Sequence, residues 1–218
     1  MSVCAIVAAA GRGDRLGLDR PKAFAALRGR PLLAESLERL DRSDWVEAIV
    51  VAAPEGWEEP AVLLAEELGC SKVSSCITGG ATRAESVRLA LAEVPEDAAV
   101  VLVHDAARPL VTDEVVGRVL EPLGEGWDGA VPGLPVSDTV KRVRGDAVVE
   151  TVPREDLVAV QTPQAFVASV LRSAAGGDAS DCAALVEQAG GRIKVVPGDP
   201  RLRKVTDTAD LELIASWL

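Results

Sequence analysis

The sequence has no tyrosine and only two phenylalanines, and aromatic residues make up 3% of it. That scarcity removes the stacking platforms on which single-stranded nucleic acids bind. Basic residues are outnumbered, 23 Lys and Arg against 34 Asp and Glu, giving a net charge of -11. The chain as a whole therefore repels nucleic acids and anionic membrane surfaces, and neither is an expected partner. His104 is the single histidine, and Cys4, Cys70, Cys76 and Cys182 include no Cys-x-x-Cys pair. A structural zinc site is unsupported, and the cysteines read as reduced core thiols. A Ser-His-Asp hydrolase would have to use His104 and lacks its Gly-x-Ser-x-Gly elbow. No apolar run is long enough to span a bilayer, and residues 1–10 lack the basic and long apolar regions of a secretory signal. A cytoplasmic protein is expected.

What is present is a chain of 218 residues, 48% of them hydrophobic, enough for one compact domain with an aliphatic core. At that length a second enzyme fused behind it is not expected. The continuous apolar run 3–10 ends at Gly11 and predicts a strand buried on both faces, as in a parallel sheet flanked by helices. Pro31 followed by Leu32, Leu33, Leu37 and Leu40 predicts a helix with proline in its first turn, and 46–53 the next strand. Further along, 62–68 reads as helix stopped by Gly69, 73–77 as strand, 87–91 as helix and 100–103 as strand. The alternation predicts an α/β fold with a doubly wound, mostly parallel Rossmann-like sheet whose ligands bind beyond the carboxyl ends of the strands. After Pro135 the pattern changes: 139–143 and 147–152 flank Arg144-Gly145-Asp146 as a β-hairpin within a projecting arm, residues 135–157. An exposed hairpin with an apolar side needs cover, which predicts a homodimer. Residues 158–160 read as a last core strand, with helices near 166–173 and 182–189, a short strand 193–196 and a closing helix 206–218. No repeat or linker divides the chain, so 1–218 is expected to be one domain.

The first post-strand loop, Ala8-Ala9-Ala10-Gly11-Arg12-Gly13-Asp14-Arg15-Leu16-Gly17, runs on to Arg20-Pro21-Lys22 and is basic within an acidic protein. Gly11 and Gly13 let main-chain N–H groups approach an anion, and Arg15 and Lys22 supply positive charge for phosphate oxygens. Triphosphate binding is the reading that this combination favours. The loop departs from Gly-x-Gly-x-x-Gly, and residues 50–53 carry no acid for a ribose, so NAD binding loses ground. Walker A spacing is absent as well.

These residues resemble a known family, the nucleotidyltransferases that join a CTP-derived CMP to 2-C-methyl-D-erythritol 4-phosphate in non-mevalonate isoprenoid synthesis. The carriers are the first loop with Pro21-Lys22, Gly79-Gly80 with Arg83 and Ser86, and His104-Asp105-Ala106-Ala107-Arg108-Pro109. Asp138-Thr139 with Lys141, Arg154, Thr162-Pro163-Gln164, Ser180-Asp181 and Lys204-Val205-Thr206 extend the match to the end of the chain. The opening loop alone indicates only the broad sugar-nucleotidyltransferase superfamily, and with it a nucleotide-diphospho-sugar transferase type of sheet. The blocks at 104–109 and 162–164, separated by the hairpin arm, narrow it.

The resemblance implies that Ala9, Ala10, Gly11 and Gly13, with Gly80, Arg83 and Ser86, hold CTP, Arg83 and Ser86 near base and ribose. It implies that Arg15 and Lys22 face the α-phosphate, that Asp105, Arg108 and Thr139 meet the sugar phosphate or a bound metal, and that Ala106 and Thr162 belong to the site. Lys204 and Arg154 would position the attacking phosphate, Arg154 reaching in from a partner subunit. Asp14, Ala81 and Ser180 depart from the family pattern, where a basic or neutral residue, an acid and Thr are common. A phosphate monoester, with a second pKa of about 6, is mostly a dianion at neutral pH and needs no general base. The chemical problem is instead to bring two polyanions together, for which Mg²⁺ and convergent cations are the expected means.

Several of these residues also have plainer readings. His104, following the apolar run 98–103, reads as a loop anchor rather than a catalyst. Asp138, Lys141 and Arg142 would otherwise be ordinary hairpin charges, and 162–164 a strand connector. Another sugar- or alcohol-phosphate nucleotidyltransferase with a different base or acceptor stays open, as does, more remotely, an NAD-linked or non-catalytic nucleotide-binding protein.

Overall fold

The computed structural model describes residues 1–11, 13, 16, 17, 19–176 and 181–218. It begins with β1 (Val3–Ala8), makes a small hairpin of β2 (Ala26–Leu27) and β3 (Arg30–Pro31), and then alternates regularly. The alternation runs through α1 (Leu32–Asp41), β4 (Ala48–Ala53), α2 (Glu58–Glu67), β5 (Val73–Thr78), α3 (Arg83–Leu91), β6 (Val100–Asp105), α4 (Asp113–Gly124) and β7 (Gly129–Pro135). It is followed by β8 (Val140–Arg144), β9 (Ala147–Val152), β10 (Val158–Val160), β11 (Gln164–Val167), α5 (Ala168–Ala174), α6 (Cys182–Gln188), β12 (Ile193–Pro197) and α7 (Thr208–Ala215).

β5, β4, β1 and β6 lie side by side in parallel, and β12 is parallel to β7. β11 runs antiparallel between β6 and β7 and joins the two parallel groups into one eight-stranded sheet. Successive side chains of a strand point to opposite faces, and β1 shows why its sequence is apolar throughout. Val3, Ala5 and Val7 pack with Leu33, Leu37 and Leu40 of α1 and Val115, Val116 and Val119 of α4. Cys4 and Ile6 pack on the other face with Val87 and Leu91 of α3, Leu171 of α5 and Val186 of α6. Side chains satisfy first-turn N–H groups in two of the flanking helices: Thr112 caps α4 at Val115, and Thr82 caps α3 at Glu85. Among the described residues no helix is long and apolar enough to cross a membrane.

Two elements differ from the sequence expectation. Residues 158–160 form a strand, but it is exposed rather than part of the core, because it pairs only with the distal end of β7. Its valines are apolar, and a three-residue run carries no signal to distinguish core from surface. Residues 164–167 are strand where a helix near 166–173 was expected. Their backbone bonds to β6 and β7 on both sides, burying Phe166 completely, so the helix is delayed to Ala168. The hairpin forms as read, with Gly145 at φ +57° in its turn, and β8 and β9 make a separate two-stranded sheet whose residues are mostly exposed.

The seam between β7, β11 and β12 is tight. A Cβ at Gly129 would lie 2.6 Å from Phe166 Cδ1, 2.8 Å from Ile193 Cδ1 and 2.9 Å from the Ala165 carbonyl oxygen. Gly129→Ala is expected to destabilise the protein by about 1–3 kcal/mol, as overpacking does. Urea unfolding should show a lower midpoint with an unchanged slope, and an unchanged midpoint would mean that the seam is looser than described.

Candidate active site

A cavity of about 260 Å³ opens at the carboxyl ends of β1, β5 and β6. It is lined by residues 8–11, 80–83 and 105–107, with Gly13, Lys22, Ala23, Ser86 and Lys204. A second cavity, of about 290 Å³, shares Lys204 with the first and is lined in addition by Arg108, Val160, Gln161 and Arg203. A doubly wound sheet leaves its ligand site beyond the strand ends, and here the three loops of the first cavity all leave parallel strands in the same direction.

The first loop turns back on itself. Gly13 has φ +74°, and a Cβ there would lie 2.6 Å from Lys22 Cβ, so only glycine lets the two segments approach this closely. Lys22 is thereby brought to the loop's mouth, where its Nζ donates to the Val205 carbonyl at 2.9 Å. The second loop is shaped by Ser86, whose hydroxyl accepts from Gly80 N–H at 3.0 Å and donates to the Thr82 carbonyl at 2.9 Å.

Asp105 ends β6 on the cavity floor. Its Oδ1 accepts from Arg83 Nε at 2.7 Å, its Oδ2 from Lys204 Nζ at 2.7 Å, and its side chain is 8% exposed. Burial pushes the carboxyl group upward in pKa, but Arg83 and then Lys204 outweigh it and hold the group well below the usual carboxylate range. Arg83 also reaches Cys182 Sγ, at 3.7 Å. Among the described lining residues, three cations face a single carboxylate, so the cavity is locally positive inside an acidic protein.

Thr162 and His104 lie beneath this floor. The Thr162 hydroxyl accepts from Asp105 N–H at 3.0 Å and lies 3.2 Å from His104 Nδ1. His104 Nε2 is 3.1 Å from the Arg108 carbonyl, an acceptor only, so Nε2 carries the proton and Nδ1 accepts from Thr162. Both ring nitrogens are engaged, the ring is completely buried, and His104 is the loop anchor that its sequence position indicated.

The expected site residues thus divide. Ala9, Ala10, Gly11, Gly13, Lys22, Gly80, Arg83, Ser86, Asp105, Ala106 and Lys204 line the first cavity, whereas Arg108 lines the second. Thr162 is buried behind Asp105, holding the end of β6. Thr139 and Arg154 line neither cavity: both are exposed near the hairpin, where the Arg154 guanidinium bonds the Ser137 carbonyl. Arg15, like Asp14 and Ser180, lies outside the described residues. Sequence reasoning missed the Val205 carbonyl on Lys22 and the Cys182 thiol on Arg83. A main-chain acceptor has no residue type to betray it, and a cysteine 99 positions from Arg83 shows its nearness only in the folded chain.

Comparison with known proteins agrees along the whole chain. The sequence model described as IspD, 2-C-methyl-D-erythritol 4-phosphate cytidylyltransferase, matches residues 3–218. A protein of that name from Saccharopolyspora erythraea is 48% identical over 225 residues, covering 100% of both chains. Another, from Nocardia farcinica, is 45% identical over 220 residues, covering 100% of this chain and 94% of the relative. The crystal structure of the Thermus thermophilus protein of the same name superposes with a TM-score of 0.80 at 35% identity, covering 100% of this chain and 98% of that one.

Burial, the largest influence on His104, lowers its pKa from the ordinary 6.5 to about 4. The unfolded chain therefore takes up this proton first, and the corresponding stability is lost as pH falls from about 6.5 toward 4. NMR of the single imidazole should show no titration between pH 7.5 and 5.5, roughly one unit either side of the ordinary value. A midpoint near 6.5 would contradict the buried, doubly bonded ring.

Proposed function

We propose a mechanism for this chain from one premise: it belongs to the 2-C-methyl-D-erythritol 4-phosphate cytidylyltransferase family, and it transfers CMP from CTP to 2-C-methyl-D-erythritol 4-phosphate with release of pyrophosphate in isoprenoid precursor synthesis. The observation that carries the mechanism is the convergence of Lys22, Arg83 and Lys204 around a cavity that Gly11, Gly13 and Gly80 also line. CTP enters the first cavity with its nucleoside end toward residues 80–86 and its phosphates toward Gly11, Gly13 and Lys22. The acceptor phosphate approaches from the second cavity, past Arg108, and meets Lys204 where the two cavities join.

An oxygen of the acceptor phosphate attacks the α-phosphorus in line; the new P–O bond forms as the bond to the β-phosphate oxygen breaks, and pyrophosphate leaves with that electron pair. No side chain has to remove a proton, because the acceptor is already a dianion. A neutral, buried His104 with both nitrogens engaged is compatible with that chemistry. Lys22 and Lys204 place positive charge where negative charge accumulates on the transferring group, and Arg15 joins them in this reading.

Asp105 is the one carboxylate lining the cavity among the described residues, and no cluster of three or more His, Cys, Asp or Glu there could hold a metal alone. This donor set fits Mg²⁺ brought in with a triphosphate, an ion satisfied by one or two carboxylates plus phosphate oxygens and water. Each Asp105 oxygen already accepts one cationic hydrogen bond and retains a further lone pair, so Asp105 would hold the ion. Bound there, the ion supplies charge neutralisation at the triphosphate.

The remaining parts of the reading concern assembly and location. Val143, Val148 and Val149 of the hairpin are 60%, 60% and 50% exposed, an apolar surface that a second subunit would cover. In such a homodimer the arm, residues 135–157, carries Thr139 and Arg154 to the partner's site. Four free thiols suit a reducing cytoplasmic setting.

Lys22→Ala is expected to lower kcat by on the order of 10²-fold with the fold intact, as for loss of one preorganised donor. Pyrophosphate release measured with each of the four NTPs, Mg²⁺ and methylerythritol phosphate should favour CTP; preference for another base, or near-normal turnover by folded Lys22→Ala protein, would refute the assignment. Subunit exchange tests Arg154. Mixing Arg154→Ala with Lys204→Ala protein, each nearly inactive alone, should restore about one quarter of wild-type activity, because half the dimers are mixed and each has one intact site. A fully active monomer by light scattering would remove Arg154 from the site.

A further inference from the structure

Of the matched segment Lys204-Val205-Thr206, the mechanism uses only Lys204, yet the whole segment is held by one buried carboxylate from the closing helix. Asp210 lies in the first turn of α7 and is 3% exposed. Its Oδ1 accepts from Arg203 Nε at 2.6 Å, and its Oδ2 from Thr206 N–H at 2.8 Å and the Thr206 hydroxyl at 2.5 Å. The carboxylate thus grips the chain on both sides of Lys204 and Val205. Asp207 fixes it from behind by accepting from Asp210 N–H at 3.0 Å.

Between the two grips, one side chain and the main chain of its neighbour meet the residues of the site. Lys204 Nζ reaches Asp105 at 2.7 Å, the Val205 carbonyl receives Lys22 Nζ at 2.9 Å, and Val205 N–H donates to the Ala107 carbonyl at 2.8 Å. The Val205 side chain is buried with Leu27, Leu32, Leu110 and Ile214, so the segment cannot turn without opening that cluster. We infer that Asp210 is a positioning residue for cytidylyl transfer: by gripping residues 203–206 it aims Lys204 at Asp105 and holds the carbonyl that orients Lys22. The inference rests on the reading of Lys22 and Lys204 as the cations that meet the phosphates. Burial raises the pKa of Asp210, but bonds from Thr206 and Arg203 more than offset this and bring it to about 2, so the grip stays charged at any working pH.

A carboxylate that only capped α7 would affect stability and leave the kcat of folded enzyme alone. A positioning residue instead lowers kcat while binding of CTP to the other loops persists. Asp210→Asn, checked for folding by circular dichroism, is expected to lower kcat about 10- to 100-fold with the CTP KM changed by less than about threefold, as a misplacement near 1 Å does. In a Lys204→Ala background the same substitution should cost less than about a third of that factor, since groups acting through one another are not additive. Thr206→Val should reproduce part of the loss and Thr206→Ser should restore it, and this pair decides the matter if Asp210→Asn fails to fold. Unchanged kcat in folded Asp210→Asn protein, or the full factor again in the Lys204→Ala background, would overturn the inference while leaving the functional reading intact. A wild-type enzyme that releases no pyrophosphate from CTP and methylerythritol phosphate would overturn that reading, and this inference with it.

Discussion

Asp105 has both oxygens occupied by cations from opposite walls of the cavity, Arg83 from α3 and Lys204 from the segment before α7, each at 2.7 Å. A carboxylate buried to this degree is unfavourable unless paired, and a lone guanidinium or ammonium beside it would be unfavourable in turn. The three groups are therefore only jointly acceptable, and their joint solution fixes where the positive charge of the site stands. The backbone of Asp105 is secured as firmly as its side chain, through Thr162 to His104 and from His104 to the Arg108 carbonyl. The one histidine of the protein, completely buried with both ring nitrogens engaged, holds the floor in place.

This arrangement answers the electrostatic difficulty posed by a protein of net charge -11 that binds two polyanions. Exposed charges interact weakly beyond a Debye length of about 8 Å at physiological salt, so the acidic exterior is largely screened at the cavity mouth. Inside, lower solvation makes each nearby cation count for more. The relevant quantity is the local balance, three lining cations to one carboxylate, and global charge predicts it poorly.

The fold supplies this balance by collecting short segments that are remote in sequence. β1, β5 and β6 end on the same side of the sheet, and their loops bring Gly11, Gly80 and Asp105 around one space. The C-terminal segment closes it because Val205 is pinned in a small third core with Leu32, Leu110 and Ile214. The hairpin stands apart from this collection: its strands pair only with each other, and its valines Val143, Val148 and Val149 are exposed.

Much of this was legible in the sequence because the relevant signals are local. A continuous apolar run such as residues 3–8 has to be covered on both faces, so it announces a parallel strand, and a glycine-rich basic loop behind it announces an anion site. The expected lining residues from the first loop, from 80–86 and from 105–106, together with Lys204, come together around one cavity for that reason. Residues 158–160 and 164–167 were misjudged because exposure and strand pairing depend on which neighbours lie alongside, and a short apolar run looks the same either way. What only the tertiary structure decided is the partnership of side chains: that Asp105 holds Lys204 from 99 positions away, that a carbonyl at Val205 receives Lys22, and that Asp210 grips the segment between. Those contacts follow from where the sheet and the closing helix place distant backbone segments, and hydrogen bonding and charge pairing act over a few ångströms of space whatever the separation along the chain.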